Sequence, residues 1–288
     1  MSRDTVWMQE MTYEEIAEYL KRDDTAIVPI GSCETHGPHL PTGTDSLEAI
    51  SYSEGIARKA GVLCTAPIWF GDSPHHMHKA GTISLQPETV IAVLKDVYRS
   101  LIHHGFKKII TFNGHRWSNL PAISIASRAV KAEYPEVIFA GMDPVIIGAE
   151  KTKEIRELEG VGSHGDELET SAILYAFPDL VKTDRFVFSH GLLMESRFVP
   201  TDPFAGGDKV LVYGGVEDQA EFAPMGHVGD PTRASAEKGK ILFDAIVANG
   251  VEFIDDLRRH VRSGGQARGG TGENAEKLLE QENRIRSR

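Results

Sequence analysis

Short apolar runs alternate along this chain with segments whose apolar positions recur at helical spacing. That alternation predicts a mainly parallel sheet covered by helices on both faces, a three-layer α/β/α sandwich. Residues 25–30 read as a buried strand, and residues 46–60 as a helix behind it. A second strand is expected over 62–69. Pro87 then opens a helix in which Val90, Leu94, Val97 and Leu101 share one face, and Gly105 ends it. A strand over 107–112, a helix over 120–132 and a strand over 137–141 follow. Residues 167–177 read as another helix, stopped by Pro178. Residues 183–231 are rich in Gly, Pro and aromatics with weak periodicity, the pattern of a long irregular excursion. A long amphipathic helix is expected over 231–261. The segment 263–288, with Gly264-Gly265 and Gly269-Gly270, reads as a flexible charged tail with too few apolar residues for a core. The expected organisation is thus one domain over 1–262 and a tail.

Composition narrows the class. With 288 residues the chain is long enough for a substantial core. Its 41% hydrophobic and 25% charged residues suit a soluble globular protein. A net charge of −11 argues against a nucleic-acid partner, which favours a basic patch. No apolar run approaches the roughly 20 residues of a membrane span, and the first residues lack the apolar core of a signal peptide. Only Cys33 and Cys64 occur, so no disulfide framework is implied; both read as buried thiols. A cytoplasmic enzyme of small substrates is the expectation.

Chemistry gathers where predicted strands end. After the first strand, Glu34, His36 and Asp45 share one Gly/Pro-rich loop. Open α/β sheets bind ligands at that edge, and mixed oxygen and nitrogen ligands suit Zn²⁺, Mn²⁺ or Fe²⁺. Asp45 also reads as the cap of the next helix. After the third strand comes Asn113-Gly114-His115-Arg116-Trp117-Ser118-Asn119, with His115 at the sheet mouth and both Asn residues available to hold the loop. His164, Asp166, Glu167 and Glu169 crowd a helix start. Acidic residues there complement the helix dipole, but a metal site also accounts for the His. Glu167 and Glu169 point to different sides of a helix, so at most one is a direct ligand. Ser73, His75, His76 and His78 lie on another loop, suited to metal or substrate hydroxyls or simply solvated.

Taken together, Glu34-Thr35-His36-Gly37-Pro38-His39-Leu40-Pro41 with Asp45, Asn113-Gly114-His115, Glu169-Thr170-Ser171, Gly229-Asp230-Pro231 and Glu237-Lys238-Gly239 resemble the creatininase (creatinine amidohydrolase) family. The resemblance spans about residues 10 to 250. It implies a single α/β/α domain, a pair of divalent ions (Zn, Mn or Fe) and a homo-oligomer, commonly a hexamer. By position, Glu34, Asp45 and His115 would hold one ion. His36, Asp45 and a further carboxylate, assigned to Glu169, would hold the other. The implied reaction is ring opening of a small cyclic substrate by metal-activated water, with His164, aided by Glu167 or Asp166, moving the proton.

Three departures bear on the substrate. Creatininase proper has a ligating Glu two residues after the metal-binding His, where this chain has Trp117. The family's His-Ala-Gly-Glu reads His164-Gly165-Asp166-Glu167 here. Creatininase proper also carries a tryptophan shortly before that His; Gly160-Val161-Gly162-Ser163 supplies none. A pocket of Ser73, His75, His76, Arg116, Trp117 and Asp166 suits a polyhydroxylated ring. This favours the family branch that hydrolyses a carbon–carbon bond of the cyclic diketone 3-dehydro-scyllo-inosose, in inositol catabolism, over cyclic amides such as creatinine. A non-catalytic sugar-binding module would lack one of Glu34, His36, Asp45 or His115, and none is missing. A scaffold subunit is the remaining alternative.

Overall fold

A computed structural model describes residues 5–157, 164–191 and 215–262. Four strands, β1 (Thr25–Ile30), β2 (Leu63–Cys64), β3 (Lys108–Asn113) and β4 (Ile138–Met142), form one parallel sheet in the order β2-β1-β3-β4. The described helices are α1 (Tyr13–Leu20), α2 (Thr44–Ala60), α3 (Pro87–His103), α4 (Arg116–Glu133), α5 (Pro144–Ile147), α6 (Ala149–Ile155), α7 (Glu167–Ala176), α8 (Val216–Phe222) and α9 (Ala236–Arg262).

β1 and β3 are buried along their whole length, as expected for central strands covered on both faces. Alternate residues of β3 serve opposite layers. The Thr111 hydroxyl meets the Tyr98 hydroxyl of α3 at 2.6 Å, whereas the Phe112 ring lies 5.8 Å from Tyr52 of α2. This is the expected three-layer α/β/α arrangement.

Several boundaries differ from the sequence expectation. The ladder of β2 stops at Cys64 although the apolar run continues, because Pro67 has no N–H to pair. The chain still tracks β1, with Ile68 N donating to the Pro29 carbonyl at 2.9 Å. α4 begins at Arg116, not at 120, so Pro121 sits inside it. Lying beyond the first turn, whose N–H groups have no acceptor within the helix, the proline removes one helical bond, the one to the Trp117 carbonyl. α1 was not anticipated, although Thr12 and Glu15 form a capping box at its start. α5 and α6 were likewise not anticipated. Within the expected excursion the structure describes α8 and isolated bridges joining Ser189 to Gly229 and His164 to Val228. Residues 192–214 and the expected tail lie outside the described residues. Cys64 is buried, whereas Cys33, expected to be buried, is partly exposed.

By compactness the chain divides into two units, residues 1–251 and 252–288. The first contains the sheet and every residue of the site below. Of the second, the described part is the C-terminal end of α9. No helix among the described residues is long and apolar enough to cross a membrane.

Candidate metal centre and active site

Three segments deliver the cluster to the carboxyl edge of the sheet. The loop after β1 carries Glu34 and His36, the first turn of α2 carries Asp45, and the turn between β3 and α4 carries His115. Asp45 caps nothing: Gly43 occupies the N-cap of α2. Its carboxylate is split between two imidazoles, with Oδ1 at 3.0 Å from His36 Nε2 and Oδ2 at 3.2 Å from His115 Nδ1. Glu169, in the first turn of α7, brings Oε2 to 3.6 Å from His36 Nε2. Glu34 Oε2 stands 3.3 Å from His115. Two groups of potential ligands result, Glu34/Asp45/His115 and His36/Asp45/Glu169, sharing Asp45; a third joins Glu34, His36 and His164.

The donor set fits divalent ions. Both oxygens of Glu34, His36 Nε2 and Asp45 Oδ2 are buried and, close as they lie to the neighbouring imidazoles and carboxylates, make no hydrogen bond of good geometry. Such orphaned groups are costly unless something pairs them. The outer ring of contacts is of the kind that orients ligating imidazoles. His36 Nδ1 donates to the Glu34 carbonyl at 3.2 Å, leaving Nε2 as the lone pair toward the carboxylates. His115 Nε2 donates to the Asp72 carbonyl at 3.0 Å, freeing Nδ1 toward Asp45. Asn113 Oδ1 accepts from His115 N, and Asn119 Nδ2 donates to the Gly31 carbonyl, so both asparagines hold the loops.

Burial sets the protonation of the cluster. It pushes the Glu34 carboxyl up to about 7 against the pull of His115, and the Glu169 carboxyl up to about 7 against that of His36. Burial also raises Asp45, but His36 and His115 outweigh it and hold that carboxyl well below the usual range. The same carboxylates outweigh burial at His115, raised to about 9 by Glu34 and Asp45. His164 behaves oppositely: burial and then His36 keep it neutral, well below its ordinary value. Its Nε2 donates to the Thr35 carbonyl at 2.7 Å, so Nδ1 carries the lone pair, 3.8 Å from Glu34 Oε1.

The remaining residues singled out in the sequence separate into distinct settings. Glu167 accepts from Lys238 and from the backbone N–H of Glu157. Asp166 is the N-cap of α7, its Oδ1 accepting from Leu168 N at 2.8 Å and Glu169 N at 3.2 Å. Ser73, expected against substrate, is fully buried beside the cluster, bonded to Ser32 and 3.3 Å from His115. His76 reaches the cluster itself: Nε2 lies 3.3 Å from Glu34 Oε1, and its ring stacks on His164 with centroids 4.3 Å apart. His75 lies against His76, and burial brings it down to about 4. Arg116 is pinned to Asp143 at 2.7 Å and sits 5.0 Å over the ring of the exposed Trp117. Sequence reasoning missed Lys238 as a partner of this region, since a lysine in a helix's first turn carries no local sign of an acid far away in sequence.

A parallel α/β/α sheet with buried carboxylates and imidazoles at its carboxyl edge defines the class of α/β proteins that build ligand centres at that edge. The creatininase profile, described as creatinine amidohydrolase, matches residues 9–254, and the chain belongs to the creatininase family. It is a hydrolase of that family. It is 34% identical over 272 residues to the 3-dehydro-scyllo-inosose hydrolase of Thermotoga maritima, covering 91% of this chain and 85% of the relative. It is also 26% identical to the creatinine amidohydrolase of Pseudomonas putida, over 84% and 94% of the two chains. A mycofactocin precursor peptide peptidase of Mycobacterium ulcerans is 29% identical over 80% and 81%. Among solved structures, one described as "Creatininase Mn" superposes with a TM-score of 0.74 at 23% identity, over 88% of this chain and 99% of that one. That likeness speaks for the fold.

Proposed function

We propose that this chain is a metal-dependent ring-opening hydrolase that cleaves a carbon–carbon bond in a polyhydroxylated cyclic diketone of the 3-dehydro-scyllo-inosose type. The observation that carries the reading is the pair of ligand groups sharing Asp45. The similarity to the Thermotoga enzyme supports the substrate class. Glu34, Asp45 and His115 would hold one divalent ion, and His36, Asp45 and Glu169 would hold the other, each Zn, Mn or Fe. When bound, the pair supplies an acidified water and positive charge opposite a developing oxyanion.

The chain's own groups do the rest. Hydroxide adds to one ring ketone, and the bond to the carbon between the carbonyls breaks. The electron pair is delocalised as an enolate over the second carbonyl, and that carbon then takes up a proton. His164, neutral and with its Nδ1 lone pair facing the cluster, takes this proton from the water that becomes the hydroxide and delivers it to that carbon. Arg116, held by Asp143 and backed by Trp117, offers a guanidinium to substrate hydroxyls. His75 and His76 offer further polar contacts on the Glu34 side. The resemblance also supports a homo-oligomer, a hexamer, which a mass measurement in solution checks.

The test is turnover of 3-dehydro-scyllo-inosose and creatinine side by side, with metal-reconstituted and chelated protein. Metal-dependent opening of the diketone alone is the expected result. Turnover of creatinine without the diketone would move the chain to the cyclic-amide branch, with Trp117 as the stacking surface.

A further inference from the structure

We propose that Lys238, through its ion pair with Glu167, positions the first turn of α7 and thereby Glu169; this rests on Glu169 holding the second ion. Glu167 is almost wholly buried, and a buried carboxylate persists only when paired and hydrogen-bonded. Lys238 Nζ donates to it from the first turn of α9, and Glu157 N donates to it at 3.1 Å. The lysine is itself fixed by the Arg233 carbonyl at 2.9 Å and by Glu157.

Backbone contact makes this pair a clamp on α7. A Cβ on Gly239 would stand 1.9 Å from the Ser171 carbonyl oxygen, so α9 and α7 touch there without an intervening side chain. Ser171 Oγ donates to the Glu167 carbonyl and accepts from Ser235 N at 3.1 Å, tying the same turn to the segment before α9. Residues two apart on a helix lie about 200° apart around its axis. Glu167 therefore faces Lys238 while Glu169 faces His36, and the rotation of one turn sets both. Lys238 and Glu167 are positioning residues: neither is a ligand of the cluster.

The test titrates the metal-free full chain with Zn²⁺ alone, by calorimetry. Wild type is expected to take up two ions. Glu167→Gln/Lys238→Met leaves no buried unpaired charge and so folds even where Lys238→Met alone does not. In the double variant, the Zn²⁺ affinity lost in Glu169→Ala is expected to fall about 10- to 100-fold, as for other residues that orient ligands. The other affinity stays within twofold, which general destabilisation would not produce. Lys238→Arg keeps the charge and is expected within threefold of wild type. Arg233→Ala, which removes surface ion pairs with Glu157 and Asp230 and keeps the carbonyl that holds Lys238, is expected to leave both affinities unchanged. Two ions bound by the double variant at wild-type affinity would overturn the clamp. Fewer than two ions in wild type would instead overturn the two-ion reading, and the clamp with it.

Discussion

Gly114 and Asp45 meet at backbone level: a Cβ on Gly114 would stand 2.0 Å from the Asp45 carbonyl oxygen. This approach lets the β3–α4 turn lie against the first turn of α2, bringing His115 to Asp45. Gly114→Ala must push the two apart. A loss of about 1–3 kcal/mol is expected, as for other overpacked sites, together with weaker metal binding. Thermal unfolding and metal content of the purified variant measure both, and wild-type values for both would contradict the prediction.

Asp45 is shared by both ligand groups, whereas Glu169 belongs to one. Asp45→Asn is therefore expected to lose both ions and Glu169→Gln only one. Elemental analysis after dialysis against a fixed free metal concentration distinguishes the two patterns. Equal stoichiometry in the two variants would refute the sharing.

Metal affinity should rise with pH. A ligating nitrogen or carboxylate must be unprotonated. Glu34 and Glu169 hold protons up to about 7, and His115 up to about 9. An ion displaces those protons, so affinity climbs as pH rises while they remain bound. The climb is steeper below pH 7, where the carboxyls also contribute, than between 7 and 9. Zn²⁺ titrations in buffers of different ionisation enthalpy report the protons released, with at least one expected at pH 8.

His164 is expected to act on the proton and not on the ions. His164→Ala should lower kcat about 10²- to 10⁴-fold while metal content stays at the wild-type level. Near-normal turnover with both ions present would remove it from the mechanism.

Arg116→Ala removes the ion pair with Asp143, which still caps α5, and uncovers Trp117. A higher KM for a polyhydroxylated substrate is expected, with a smaller change in kcat. Steady-state kinetics against the diketone separates the two parameters.

The sequence by itself determined the layered α/β architecture, because strand runs such as 25–30 and 107–112 and the face of α3 are local patterns set by backbone period. It also carried Glu34 and His36 as chemistry on one loop, since their closeness in the chain holds them near each other whatever the tertiary fold, whereas Asp45 stands in the first turn of α2. The opposite facing of Glu167 and Glu169 was legible too, being fixed by helix geometry. Their partners were not. Only the tertiary structure decided that Glu167 belongs to Lys238 and Glu169 to the His36 side. It likewise decided that Ser73 stands beside His115 while His76 reaches Glu34. The physical reason is that these pairings depend on how α7, α9 and the loop after β2 pack against one another. Packing of elements distant in sequence is settled by close backbone approaches such as Gly114 on Asp45 and Gly239 on Ser171, which leave no periodic trace in the chain.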